Sequence, residues 1–227
     1  MASDPKLIYG KNTVLEAIKH GYPLKLVYVQ KPLSNHLTKG VPVQVKSKQF
    51  LDQLTSANHQ GYVALAKNYP YAELESFWKD QPRRVLALDH LQDPHNLGAL
   101  LRTANALGWK HVLIPKDRSA QVSPAVLKVA SGGQNGLKIA RVNSLQSVLE
   151  KFKKRGYWIY GATLQGENYR AAPLNWPLIL VLGSEAKGIS TTLTKQVDFK
   201  IKIPMFGSVE SLNVSVSGGI LMNHLSE

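Results

Sequence analysis

The chain contains no cysteine. That absence removes disulfides, thiolate catalysis and cysteine-ligated zinc or iron–sulfur clusters together. No segment approaches the roughly eighteen uninterrupted apolar residues of a membrane span, and the opening MASDPKLIYG lacks the apolar stretch of a secretory signal. A cytoplasmic protein without a membrane partner is expected. The seven histidines are scattered with no HExxH pair, which argues against a metal site. There is no internal repeat and no low-complexity tract. Acidic residues are scarce, with 15 Asp and Glu against 28 Lys and Arg, and the first 80 residues hold no arginine at all.

What is present bounds the fold. At 227 residues the chain accommodates one large domain or two small ones, and 44% hydrophobic residues suffice for a real core. The net charge of +13 points to a polyanionic partner, most simply nucleic acid, with a solvated basic surface as the plainer alternative. Residues 1–80 carry +4 and residues 81–227 carry +9, so both halves are basic. Arginine, the side chain better suited to bidentate phosphate contacts, is confined to the second half.

Up to about residue 70 short helical and strand patterns alternate (TVLEAIKHG, KLVYVQ, LSNHLTKG, VPVQVKS, KQFLDQLTSAN, YVALAK), which predicts a small α/β sandwich domain over 1–70. Residues 71–82, polar and aromatic and bounded by Pro70 and Pro82, read as a linker, or as a stretch whose aromatics pack on a neighbour. Over 83–227 the rhythm is strand, loop, helix: RVLALD then NLGALLRTANALG, HVLIP then SPAVLKVASGG, WIYGAT, LILVLG then ISTTLTKQV, FKIKIPM then LNVSVSGGILMNHL. Gly108 reads as a helix stop, and SLQSVLEKFKKRG as an amphipathic helix with a basic end. Such alternation predicts an α/β fold with a parallel sheet.

Three segments share one layout: LDHLQDPHNLGALLRTA (88–104), LVLGSEAKGIS (180–190) and IKIPMFGSVESLNVSVSGG (201–219). In each, an apolar run ends in a polar or Gly-rich loop that enters a helix. Such loops lie at the carboxyl edge of the sheet, where open α/β domains place ligands, so Asn96, Arg102, Gly183, Glu185, Ser211 and Asn213 can converge. GxGxxG follows no strand, which leaves a nicotinamide or flavin site without support. The loop 183–188 has glycines at Walker-like spacing, but its Lys precedes the second Gly and Glu185 would repel phosphate. Ser184 is not in GxSxG. A pocket of backbone groups with few charges remains, suited to a neutral heterocycle with a compact polar tail.

DPHNLGALLRTA, LGSEAKGIS and IPMFGSVESLNVS resemble the three motifs of the SpoU family of RNA 2′-O-ribose methyltransferases, a branch of the SPOUT superfamily also called TrmH-like. YGKNTVLEAI and HQGYVALAK resemble the small L30e-like RNA-binding domain at the front of the 23S rRNA guanosine methyltransferases of this family. Gln134, Asn135 and Glu210 depart from the family's pattern. The resemblance implies S-adenosylmethionine as cofactor, a deep trefoil knot in the C-terminal domain, and a homodimer whose active site lies at the subunit interface. It implies 23S rRNA as RNA partner; a tRNA methyltransferase or an rRNA resistance methyltransferase are the enzyme alternatives, and a non-catalytic ribosome-assembly factor is the alternative of another class. Relatives acting on tRNA tend to carry basic extensions beyond the last helix, and this sequence ends soon after it.

From the residues alone, Asn96 reads equally as a helix cap or a site group. Arg102, about 9 Å further along the same helix, reads as reaching the helix mouth or as touching RNA phosphate. Glu185, in a loop entering a helix, has a purely structural reading beside the functional one. Capping is the plain reading of Ser211 and Asn213, core packing that of Ile203 and Leu212. The resemblance implies catalytic roles for Asn96, Arg102, Glu185, Ser211 and Asn213, and cofactor contacts for Leu182, Gly183, Ile203, Met205 and Leu212. A guanidinium, with a pKa above about 12, is a poor resting base, so stabilisation of a developing alkoxide suits Arg102 better. Gly218 and Gly219 interrupt the last helix at about 1 kcal/mol each, which implies close backbone approach, here expected across the dimer.

Overall fold

The structure, a computed structural model, describes residues 6–38 and 40–227. Residues 1–5, the head of the stretch read for a secretory signal, and Lys39, within LSNHLTKG, lie outside the described residues. The chain divides into two compact units, one running to Pro70 and including Val122–Gly132, the other comprising Tyr71–Gln121 and Gly133–Glu227.

The first unit is built on a four-stranded sheet of β1 (Lys6–Tyr9), β2 (Leu24–Val29), β3 (Val43–Val45) and β4 (Tyr62–Ala66). Its order is β1-β4-β2-β3, with β4 antiparallel to both neighbours and β2 parallel to β3. Helices α1 (Lys11–Lys19), α2 (Asn35–Thr38) and α3 (Lys48–Leu54) connect the strands. Val14, Ala17 and Ile18 of α1 join Val27, Val29, Leu51, Val63 and Ala64 as its buried apolar side chains. This is the α/β sandwich expected from the alternating patterns. Strand β1 escaped the pattern reading because four residues are too few to show alternation.

The second unit holds six parallel strands: β5 (Arg84–Leu88), β6 (His111–Pro115), β7 (Lys138–Val142), β8 (Trp158–Asn168), β9 (Leu178–Leu182) and β10 (Phe199–Lys202), in the order β10-β8-β9-β5-β6-β7. The stretch 71–82 is not a bare connection. It contains α4 (Glu75–Asp80), whose Phe77 is fully buried in this unit's core, so of its two readings the aromatic packing is what the structure displays. Alternation along the strands sorts the two faces. Val85, Ala87, Ile179 and Val181 meet Leu145, Val148, Leu149 and Phe152 of α7 (Leu145–Lys153) on one side. The opposite side carries α5 (Pro94–Ala106) and α9 (Val214–His224), which pack on each other. The remaining helices are α6 (Pro124–Ala130), which belongs to the first unit and packs along α1, and α8 (Thr191–Thr194).

The strand order positions the site. From β5 the chain moves outward through β6 and β7, whereas from β9 it moves the other way to β10. Strands β5 and β9 are neighbours, in register from Arg84 beside Leu178 to Leu88 beside Leu182. Their following loops therefore diverge and leave a crevice at a topological switch point.

Candidate active site

The crevice is fixed first by backbone. The Asp89 amide donates to Leu182 O (2.8 Å), and the Ser190 amide donates to Asp89 Oδ2 (2.7 Å). Asp89 is 2% exposed, with His90 Nδ1 2.6 Å from its other oxygen. One buried carboxylate thus ties the loop after β9 to the end of β5. Motif reading passed over Asp89; the available signal was an acid closing the apolar run LALD. The loop after β9 folds back on itself through a Ser184–Gly188 bridge, and Ser184 Oγ accepts from the Lys187 amide (3.3 Å). A Cβ on Gly183 would lie 2.0 Å from Gly188 C. Glycine at 183 is therefore required by the chain's own backbone.

Helix α5 begins at Pro94, with Asp93 as its cap: Asp93 Oδ1 accepts from the His95 amide (2.9 Å). This corrects the capping option for Asn96. Proline suits the first helical position because its missing N–H has no partner there, so the cap falls one residue before it. Asn96 sits inside the first turn, buried, with its amide free for other work.

That work is a chain of hydrogen bonds joining all three motifs. Asn96 Nδ2 donates to Glu185 Oε1 (2.7 Å), and Asn213 Nδ2 donates to Asn96 Oδ1 (3.0 Å). Asn213 also caps α9, its Oδ1 accepting from the Ser215 amide (2.8 Å) and hydroxyl (2.6 Å). The carboxylate of Glu185 thus lies beside the first turn of α5, where the helix dipole favours negative charge. Residues separated by 89 and 117 positions meet at one point. Both readings of Asn213 hold at once.

Arg102 and Ser211 are not in this network. Both are exposed, and neither side chain makes a hydrogen bond or ion pair among the described residues. Arg102 is six residues beyond Asn96, about 240° round the helix, so the reach expected along the axis is offset by rotation. Leu182 and Gly183 are buried, while Ile203, Met205 and Leu212 are half-buried. The close approach expected at Gly218 is made within its own chain: its Cβ would lie 2.4 Å from Leu100 Cδ2 and 2.7 Å from Leu182 Cδ1. The glycine seats α9 against α5 and β9 of the same chain. Among the described residues no cluster of His, Asp or Glu could hold a metal ion, and no helix is long and apolar enough to cross a membrane.

Comparison with known proteins places relatives on this geometry. The profile of the SpoU rRNA Methylase family matches residues 83–223, and that of the RNA 2′-O ribose methyltransferase substrate-binding domain matches residues 7–72. A Bacillus subtilis protein named as a TrmH family tRNA/rRNA methyltransferase, YacO, is 37% identical over 238 residues, covering 98% of this chain and 95% of its own. A Staphylococcus haemolyticus protein of the same family name is 37% identical over 231 residues, with 95% and 93% covered. Among solved structures, a TrmH-family protein from Porphyromonas gingivalis superposes with a TM-score of 0.69 at 28% identity, covering 96% of this chain and 88% of the other. The SpoU methyltransferase AviRb of Streptomyces viridochromogenes, solved with AdoMet, shares the fold with a TM-score of 0.73 at 22% identity, covering 99% and 90%.

Proposed function

Because the chain belongs to the SpoU rRNA methylase family, we propose that it transfers a methyl group from S-adenosylmethionine to a ribose 2′-hydroxyl of RNA, that of a guanosine in 23S rRNA. The observation that carries this reading is the Glu185–Asn96–Asn213 hydrogen-bond chain at the switch point, because a module that only binds RNA needs basic surface and not a polar network joining three separated loops. Residues 1–70, which overlap the substrate-binding match at 7–72, are assigned to gripping RNA, and residues 83–227, which contain the methylase match at 83–223, to the chemistry.

The residues present suit the cofactor. Leu182, Gly183, Ile203, Met205 and Leu212 offer backbone groups and apolar surface without charge, which fits a neutral adenine. When bound, the cofactor supplies a methyl carbon on a positively charged sulfur. Leu182, Gly183, Ile203, Met205 and Leu212 would hold that methyl in line with the ribose oxygen, whose hydroxyl proton would pass to solvent. A developing anion meets a cation, so positioning carries much of the rate. Asn96 holds the Glu185 carboxylate and the Asn213 amide in one arrangement, which orders the loops around the ribose. Ser211 and Asn213 lie beside the target hydroxyl. Arg102 stabilises that oxygen as its proton leaves, with substrate phosphate as a further participant.

Arg102 turns away from its own chain's network, and a homodimer accounts for this. In the dimer the guanidinium of one protomer completes the crevice of the other. The exposed Phe206, Val209 and Val216, next to the site in sequence, provide apolar surface for such an interface.

The test compares single-turnover methyl transfer with RNA affinity. Arg102→Ala is expected to slow transfer by about 10²–10³-fold, as for loss of one charge-stabilising group, with RNA affinity within about twofold of wild type. Transfer by the variant at the wild-type rate would remove Arg102 from the mechanism.

A further inference from the structure

At the opposite, amino edge of the parallel sheet lies a second cavity of about 620 Å³, whose lining includes Phe77, Trp78, Arg83, Arg155, Tyr157 and Trp176. Strands β5, β8 and β9 begin beside it and β5 and β9 end at the crevice. Five residues of strand separate the two sites by about 16 Å. Nothing in the methyl-transfer chemistry uses this cavity.

Its chemistry is specific. The Arg83 guanidinium sits 4.3 Å from the centroid of Trp176, and that of Arg155 sits 4.3 Å from the centroid of Trp78. Both arginines are exposed and both tryptophans half-buried. The lining contains two guanidiniums and no carboxylate. The neighbouring acid, Asp80, is already bound to His111 and Lys138. The walls are held from behind by buried aromatics: Trp78 packs on Phe152 (4.5 Å), Phe152 on Tyr157 (4.8 Å), and the Tyr157 hydroxyl donates to Pro82 O (2.8 Å). The site is therefore preorganised, and its volume falls in the roughly 300–1,000 Å³ range of ligand cavities.

Planar cations over indoles, with N–H groups left after Arg155 Nη1 donates to Lys151 O (2.9 Å) and no competing acid, match a ligand that is flat, aromatic and anionic. We propose that this cavity binds an unpaired nucleotide of the RNA substrate, remote from the methylated one. The base lies against the arginine–tryptophan stacks and a phosphate is held by Arg83 and Arg155. The proposal rests on RNA being the substrate. It gives the catalytic unit its own grip on single-stranded RNA, so that recognition is not confined to the first unit. Three separated segments build the cavity, which is why no sequence motif announces it.

The test uses the full-length protein and the double variant Arg83→Gln/Arg155→Gln, whose exposed side chains leave the core untouched. A Lys116→Gln/Lys200→Gln protein removes the same charge from exposed positions away from the cavity. Two readouts are taken: KM and kcat for methyl transfer to unmodified rRNA, and Kd for a fluorescein-labelled single-stranded decanucleotide by anisotropy. Removing the site should weaken both KM and Kd by about 5- to 150-fold, with kcat at saturating RNA and the calorimetric cofactor Kd unchanged, and the lysine control should move each by less than about twofold. The proposal is overturned if the arginine variant stays within twofold of wild type, if the lysine control weakens binding equally, or if the cavity instead takes free guanosine or uridine monophosphate while RNA binding is unmoved. Should the wild type methylate no RNA, the decanucleotide arm still decides: binding lost in the variant upholds the cavity while the methyl-transfer reading falls, and absent wild-type binding overturns the cavity.

Discussion

At the scale of the residue, the site depends on side-chain amides that satisfy one another. Asn96→Ala would remove a donor to Glu185 and an acceptor from Asn213 at a buried position. The expected cost is about 1–3 kcal/mol of stability, together with a fall in single-turnover rate of at least about 10²-fold. Denaturant melts and methyl-transfer assays on the same preparation check both, and a variant with full activity would show that the network is only a cap. Asn96, Glu185 and Asn213 are nameable from the sequence, since each lies in or just past a polar loop that follows an apolar run. Their pairing is not, because sequence spacing says nothing about contacts between positions 89 or 117 apart. Asp89 was missed because an acid at a strand end looks like the start of a loop, and only burial reveals that it binds the next loop.

At the scale of the element, two glycines set how closely chain segments approach. Gly218→Ala would place a methyl 2.4 Å from a Leu100 side-chain carbon, an overpacking expected to cost about 1–3 kcal/mol. Gly183→Ala would meet backbone at 2.0 Å, which has less room to give, so both stability and cofactor affinity should fall further. Gly207→Ala, with nothing within 4 Å, should be close to neutral. Thermal melts should be lowest for Gly183→Ala, higher for Gly218→Ala and close to wild type for Gly207→Ala, and equal melts would contradict the packing of α9 and the loop.

A second element-level link joins α4 to β6 and β7 through Asp80, His111 and Lys138. Hydrogen bonds from Lys138 and His111 hold the Asp80 carboxyl below its ordinary range. Burial pushes the His111 imidazole down, with the bond to Asp80 opposing in part. Both folded values are depressed, so the unfolded chain binds more protons as pH falls. Stability should be full above about pH 6.5, decline below it through His111, and decline again below about pH 4 through Asp80. Melting temperatures measured from pH 7.5 to 5 should fall in the wild type and less in His111→Gln; equal slopes would place the acid sensitivity elsewhere. Helix α4 itself was poorly legible because proline flanks and mixed charge suggested a linker. Strand β7 was hidden likewise, since a short edge strand carrying Lys138 and Arg141 lacks the apolar run of a central one.

At the scale of the whole molecule, the parallel sheet was readable from the repeated strand, loop and helix, and the switch point follows from its order. The trefoil knot and the homodimer belong to a different kind of inference. They rest on family resemblance, and topology rules alone would argue against a knot; we retain both as proposals. The dimer has a direct consequence. If Arg102 serves the partner's crevice, mixing Arg102→Ala with Asn96→Ala protomers and allowing exchange creates dimers with one intact site. Activity should return to about a quarter of wild type, since half of the dimers are mixed and each has one working site. No recovery would confine the site to one chain. The charge of +13 adds an expectation for RNA affinity, which should decline linearly with the logarithm of salt concentration.

The central claim is methyl transfer to a ribose hydroxyl, and the most direct measurement is incubation with S-adenosylmethionine labelled in its methyl group and unmodified total rRNA and tRNA. Nuclease digestion and mass mapping of the labelled nucleotides follow. A single 2′-O-methylguanosine in 23S rRNA is the predicted result. Label in tRNA would keep the enzyme and replace its target, whereas no transfer to either RNA, with cofactor binding also absent by calorimetry, would contradict the claim.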